Sequence, residues 1–391
     1  MQRNLFPTWW DSLLTVIFGA VAVWGAVSLV QFLVTADYTI IRVNLANFIV
    51  GRFPRDELWR PAGALVVTMA AVGLMAGATS AAARAVAIDE GASFRPSTIV
   101  ENLRRQWPLL VTIVILLLLA ETWSPRLTVA AAVAAAYLTF VAGRWAPRRV
   151  RRLAWVVALV MLGAAYAILT VAGGVGWGGW GGIQLNIFLT VAGILLAFPL
   201  GLMLALGRRS SLPAVRLVSV SYIELIRGVP LITLLLMGIF AIGFFLPAGI
   251  RPGPVARVLI AITLFEAAYI AEVVRGGLQS VHPGQVEASQ ALGMAPWKTT
   301  RLIVLPQALR ATIPAMVGQF ISLFKDTTLV SLVGLFDVLT ISGVANAQPA
   351  FLAQGLETVT LPFVGLMFWV GSYAMSREAR RLERKLGVGE R

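Results

Sequence analysis

Cysteine is absent from the 391 residues and histidine occurs once. The first absence excludes disulfides, thiol nucleophiles and thiolate-bound metals together. The second leaves His282, in a Val-His-Pro-Gly turn, as a polar loop residue; no metal site is expected. Charge is also scarce, at 13% of residues against about 25% in ordinary soluble proteins. The few acidic residues do not gather into the paired carboxylates of hydrolytic sites. No Gly-x-x-x-x-Gly-Lys-Ser/Thr phosphate loop occurs, so the chain binds no nucleotide or other cofactor of its own, and no catalytic residue is assigned.

What is abundant is apolar: 58% of residues are hydrophobic and the mean hydropathy is +0.83. A helical span needs about 20 apolar residues, so the composition suffices for about ten spans and leaves no room for a large soluble domain. The expectation is an all-α integral membrane protein with spans near 12–34, 63–88, 107–122, 127–143, 153–171, 187–207, 229–247, 257–275, 307–325 and 359–376. The run from Ser12 to Val34 follows Arg3 but exceeds the roughly 7–15 apolar residues of a signal-peptide core. It is read as a retained span.

The net charge of +14 raises the question of nucleic acid, but its distribution answers differently. With ten spans both termini share a side, and the loops and tails of that side hold 23 of the 32 Lys and Arg, among them Arg104, Arg105, the run Arg148 to Arg152, Arg208, Arg209 and Arg377 to Lys385. Seven lie on the other side, and Arg227 and Lys325 sit at span ends. This is the positive-inside asymmetry: it places both termini in the cytoplasm and implies lipid, not nucleic acid, as the partner of the excess charge.

Seven glycines in ten residues, Gly173 to Gly182, divide the chain. Such a run cannot hold a helix, and with Trp177 and Trp180 it reads as a flexible linker at the outer interface. Residues 1–182 form an extension of about five spans with no motif, either packing around the core or against a partner through small residues such as Gly73, Ala76, Gly77 and Ala78, or serving as dispensable padding. Residues 183–378 form the core, and 379–391 a basic tail.

Ionisable groups inside spans are costly and are therefore candidates for function. Glu266 stands mid-span, nine residues from both Arg257 and Arg275, about 13 Å along the axis from each; it can receive a substrate ammonium or bond to a neighbouring helix. Glu272 reaches Arg275 within a turn, so a local ion pair competes with a place on the path. Lys325 can attract an entering carboxylate. Asp326 faces elsewhere, because adjacent residues do not share a helix face, and suits a cap for a short re-entrant or interfacial helix over 328–341, an outer gate. Glu224 and Arg227, three apart, suit an ion pair before Gly228 and Pro230 break their helix.

Between two of these spans lies a polar island. Pro283 suits a first helical position and Gly293 a left-handed helix end, which predicts a helix over 283–292 and a second from Ala295 or Pro296. The sequence Glu287-Ala288-Ser289, then Gly293, then Ile303-Val-Leu305-Pro306 resembles the coupling loop (the EAA motif) of ABC-importer permeases, with Ser289 in place of the second alanine. Glu224-Leu-Ile-Arg-Gly-Val-Pro230, Ala268-Tyr-Ile-Ala-Glu-Val-Val-Arg-Gly-Gly277 and Lys325-Asp-Thr-Thr-Leu-Val-Ser331 extend the likeness from about Leu185 to Met375. The whole is similar to the general L-amino-acid importer subunit with an extended N-terminus.

That resemblance implies a five-helix permease core in a bacterial inner-membrane complex working by alternating access. An ATPase dimer, which binds ATP and Mg, would grip Glu287, Ala288, Ser289 and Gly293 on the loop at 280–306. A second, related permease chain and a periplasmic amino-acid-binding protein complete the complex, and Glu266, Glu272, Lys325 and Asp326 are assigned to the substrate path. An ion-coupled secondary transporter is the rival reading, with Glu266 as its coupling acid.

Overall fold

The computed structural model describes residues 8–89, 107–120, 123–147, 151, 153–170, 175–247 and 249–385. Arg104, Arg105, Gly173, Gly174, most of the run Arg148 to Arg152 and residues 386–391 of the basic tail lie outside them. The described residues form α-helices and short 3₁₀ and π turns, with one isolated parallel bridge between Gly182 and Asp337. In chain order the helices are α1 (Trp9–Thr35), α2 (Thr39–Val50), α3 (Trp59–Asp89), α4 (Trp107–Leu119), α5 (Trp123–Trp145) and α6 (Ala154–Thr170). The second half holds α7 (Gly182–Arg208), α8 (Pro213–Arg227), α9 (Leu231–Phe240), α10 (Pro254–Ser280), α11 (Pro283–Ala291), α12 (Pro296–Thr299), α13 (Leu305–Asp326), α14 (Val338–Asn346) and α15 (Glu357–Lys385).

Each of the ten expected apolar segments is helical in most of its length. Among the described residues six helices are long and apolar enough to cross a membrane, seven if the bent pair α8 and α9 counts as one. The others fall short for identifiable reasons. α10 has the length, at 27 residues, but carries Arg257, Glu266, Glu272 and Arg275. α4 and α6 have 13 and 17 residues, or about 20 and 26 Å, against a hydrocarbon core of about 30 Å. The bend between α8 and α9 is 103°, where Gly228 and Pro230 interrupt the helix as expected.

α2 has no counterpart among the expected spans, because its 12 residues are too short to register as one. It is nonetheless among the best-buried elements: Ile40, Ile41, Leu45 and Phe48 lie inside a cluster with Val338, Ile341 and Phe363. The rest of the extension differs. α3 packs on α5 and α6, and a Cβ on Gly73 or Gly77 would overlap the backbone carbonyls of Ala136 or Phe140. The small residues of α3 therefore bring two helices of the extension together, while Ala76 is exposed and outside that seam. α1 buries no residue at all.

In the second half, α10 is the centre, touching α7, α8, α9 and α13. α7 and α10 bury Leu185, Leu189, Val258 and Ile262 at one end and Ala197, Ala205, Ile270 and Val274 at the other. Arg257 closes α9 onto α10 by donating to the Ile239 carbonyl at 2.7 Å and the Pro252 carbonyl at 2.8 Å, which satisfies a free acceptor at a helix end.

The glycine-rich divider is not a flexible joint over its described part. Trp180 is buried, its indole N–H donates to the Val175 carbonyl at 3.2 Å, and Trp177 donates to the Tyr166 hydroxyl at 3.0 Å. Gly182 then donates its backbone N–H to the Phe336 carbonyl at 2.9 Å. The glycines are there for close approach: a Cβ on Gly51 would overlap the Gly181 Cα, and one on Gly182 the Phe48 carbonyl.

Candidate functional site

The polar island folds as a corner of two short helices. His282 caps α11, its ring Nδ1 accepting from the Gly284 N–H at 3.1 Å, and Pro283 follows at the first helical position. The helix ends in a reversal: Gly293 N–H donates to the Gln290 carbonyl at 2.9 Å and Met294 N–H to the Ser289 carbonyl at 3.0 Å. Gly293 stands at φ +73°, a conformation that costs any side-chain-bearing residue roughly 1–2 kcal/mol. α12 starts at Pro296 and runs through a π turn, Thr300–Val304, into α13. Pro306 supplies the cause, since it lacks the N–H that an α-helical register would need at that point.

Of the residues assigned to this loop, Glu287, Ala288 and Gly293 are exposed and Ser289 is not. Ser289 lies inside the corner, donating to the Val286 carbonyl at 2.7 Å and meeting the Thr299 hydroxyl at 2.9 Å. Its hydroxyl braces α11 against α12, so it supports the surface instead of forming it. The surface itself carries Leu292, Trp297 and Leu302, each at least 60% exposed. Beside them a groove of about 1230 Å³ is lined by Arg209, Glu287, Gln290, Trp297 and Arg301, among others.

Next to the corner, five charges from three helices interlock. Arg208 of α7 meets Glu224 of α8 at 2.9 Å and Glu272 of α10 at 3.6 Å. Arg227 reaches Glu272 at 3.7 Å, and Arg275 grips it with both ends of its guanidinium, one N–H at 2.9 Å. The expected pair between Glu224 and Arg227 is thus replaced by two contacts across helices, because α7 and α10 bring opposite charges nearer than the same-helix neighbour. Glu272 has its local partner, Arg275, and two more besides.

Glu266 lies in a separate place, 1% exposed between α10 and α13. Gln319 donates to its Oε2 at 3.2 Å, while Oε1 is buried with no partner. Asp326, within electrostatic reach of Glu266, is seven residues beyond Gln319 and on the same face of α13. Ser322 donates to it at 3.5 Å. The interface of α10 and α13 is therefore a polar seam of Glu266, Gln319, Ser322 and Asp326, with Lys325 exposed beside it. Glu272 does not belong to it.

Asp326 is not a cap. It ends α13 in helical geometry, and the chain continues as a 3₁₀ turn, Thr327–Val333, that stops at Gly334. The expected single short helix over 328–341 is two pieces, and the capping residue is Asp337, which accepts from the Thr340 N–H at 2.9 Å to open α14. Asp337 is fully buried. Asn186 of α7 donates to it at 3.3 Å and to Thr327 at 3.0 Å, and accepts from the Val338 N–H at 3.2 Å. Sequence reasoning missed Asn186 and Gln319; each is an amide set among apolar residues of a spanning helix, and that was the available signal.

Residues 197–388 match the family described as binding-protein-dependent transport system inner membrane component. The chain is 44% identical over 210 residues to the inner membrane amino-acid ABC transporter permease protein YhdY of Escherichia coli strain K12, covering 54% of this chain and 57% of that protein. It is 48% identical over 208 residues to the glutamate/glutamine/aspartate/asparagine transport system permease protein BztC of Rhodobacter capsulatus, covering 53% and 48%. Against the probable glutamine ABC transporter permease protein GlnP of Bacillus subtilis it is 33% identical over 204 residues, covering 52% and 91%. The chain thus matches about half the length of the first two relatives and nearly all of the third.

Proposed function

The chain belongs to the family of inner-membrane components of binding-protein-dependent transport systems, and from that premise we propose that it is a permease subunit of an ATP-driven importer of L-amino acids. The observation that carries the reading is the corner at 283–306. It is a two-helix corner braced from inside by Ser289 and Thr299, with exposed apolar side chains and an adjoining groove. That is a shape another protein can grip and push. A separate ATPase dimer, binding ATP and Mg, docks there; the corner lies directly between α10 and α13, so its displacement moves both.

The substrate names of the relatives supply the amino-acid class. An amino acid needs an anionic group for its ammonium, and the unpartnered Oε1 of Glu266 in the polar seam is the acceptor that fits, with Asp326 further along and Lys325 at the mouth for the carboxylate. Glu272 is reassigned to the charge cluster at the corner end. A related permease chain, a periplasmic binding protein and surrounding lipid complete the assembly, with both termini and the corner in the cytoplasm. Residues 1–182 act as an extension, 183–378 as the transport core and 379–391 as a basic tail.

The test is Gly293→Val, a β-branched residue at a positive φ. Uptake and ATPase co-purification both disappear while the subunit still inserts. Uptake in vesicles that persists on an ion gradient without the ATPase overturns the reading and establishes the ion-coupled alternative.

A further inference from the structure

The short helix α2 is the helix of the extension with the most residues buried in the core among those described, and it lies along α14. The two run antiparallel, since Asn44 meets Gln348 just beyond the C-terminus of α14 while Gly51 and Phe48 meet the junction at its N-terminus. At the first contact the amides pair reciprocally: Gln348 Nε2 donates to Asn44 Oδ1 at 2.7 Å and Asn44 Nδ2 donates to Gln348 Oε1 at 3.2 Å. Asn44 is 2% exposed, and its Nδ2 also bonds the Ile40 carbonyl at 3.1 Å. The pair favours one register, because sliding takes both side-chain partners from Gln348, while Asn44 keeps the Ile40 carbonyl and the Asn47 Nδ2 within its own helix.

At the second contact three backbones converge. Gly51 touches Gly181, Gly182 touches the Phe48 carbonyl, and Gly182 N–H bonds the Phe336 carbonyl, one residue before the Asp337 that caps α14. Arg52 lies over the Phe336 ring at 4.6 Å. Between the two contacts Phe48 meets Phe363 edge to face at 5.2 Å, so the same helix also reaches α15. Asn186 holds α14 to α7 from the other side.

We propose that α2 is a built-in positioning element that keeps α14 fixed to the N-terminal end of α7 throughout the transport cycle, so that these three helices move as one body. The inference rests on the transport reading. It gives the extension a job that a shorter permease has to do otherwise, and it makes α14 a fixed wall of the outer mouth instead of a swinging gate. Close-packed backbone of this kind does not deform continuously.

The absence of native cysteine makes the test direct. Asn44→Cys and Gln348→Cys are introduced together and bridged with a short bis-methanethiosulfonate reagent in vesicles holding the complete transporter. With free thiols the amide pair is gone and uptake falls several-fold; bridging raises uptake back toward the parent, and reductant reverses the gain. A bridge that lowers uptake further shows that α2 and α14 must part during transport, which overturns the proposal. A second pair of variants guards against misfolding. Asn44→Leu loses uptake several-fold, and the exchanged pair Asn44→Gln with Gln348→Asn, which rebuilds the amide contact, recovers it; failure of both the exchange and the bridge to recover uptake also overturns the proposal. An inactive cysteine-free parent indicts the transport reading instead.

Discussion

The two ends of α7 are held in opposite ways. At its C-terminal end, beside the corner, Arg208 joins a cluster of full charges whose members remain partly exposed, Glu224 by more than half of its side chain. At its N-terminal end Asn186 is completely buried in a knot with Thr327, Asp337 and the Val338 N–H. Partly solvated ion pairs are worth little each, usually below about 1 kcal/mol, and are easily exchanged. A buried knot with every bond directional costs several times as much to open. One end is made for contacts that can be traded during motion, the other for contacts that persist.

The strongest way to break that contrast is at the corner. Gly293→Val should reduce uptake to background and abolish ATPase co-purification, measured in vesicles and by pull-down, while the unfolding midpoint in detergent falls only by what a local strain of roughly 1–2 kcal/mol allows. A large loss of stability instead would mean that the corner belongs to the rigid part. Asn186→Leu probes the opposite end: it takes one bond each from Thr327 and Asp337 and strands the Val338 N–H, and should cost about 3 kcal/mol, seen as a lowered unfolding midpoint. An unchanged midpoint would erase the difference between the ends.

Between them lies the seam. Glu266→Gln keeps the bond to Gln319 within reach but removes the negative charge, and should lower uptake about tenfold, a loss of roughly 1.4 kcal/mol in transition-state terms, with expression and folding intact. Wild-type uptake rates would remove Glu266 from the path. The smallest effect is expected for Glu272→Gln. Three arginines lose a shared partner, yet the change in stability should stay below about 1 kcal/mol and shrink further in high salt, where screening already weakens the pairs. A loss of stability that high salt leaves intact would place this cluster with the rigid end.

The corner was legible because its determinants are local. Pro283, Gly293, Pro296 and Pro306 restrict the backbone where they stand, so the helix limits and the left-handed turn follow from spacing, whereas the burial of Ser289 does not. The break at Gly228 and Pro230 was legible for the same reason. The ion pairs were not: Glu224 was matched to Arg227 by helix geometry, yet packing of α7 on α8 and α10 offered it Arg208 and gave Arg227 to Glu272. Asp326 was matched to a cap that Asp337, eleven residues later, in fact provides. The helix α2 went unseen because 12 residues are too few to register as a span, although its partners bury half of them.

The glycine-rich stretch shows the boundary between the two kinds of information. Composition alone indicated that residues 173–182 do not hold a long α-helix, just as apolar abundance indicated a membrane protein. Why glycine is required at 181 and 182 was decided only when α2, α7 and α14 met there, since the constraint comes from backbone atoms remote in the chain and close in space. Local dihedral preference and overall hydropathy are properties of a sequence. Which buried amide faces which carboxylate depends on helix packing, where competing partners are chosen by distance.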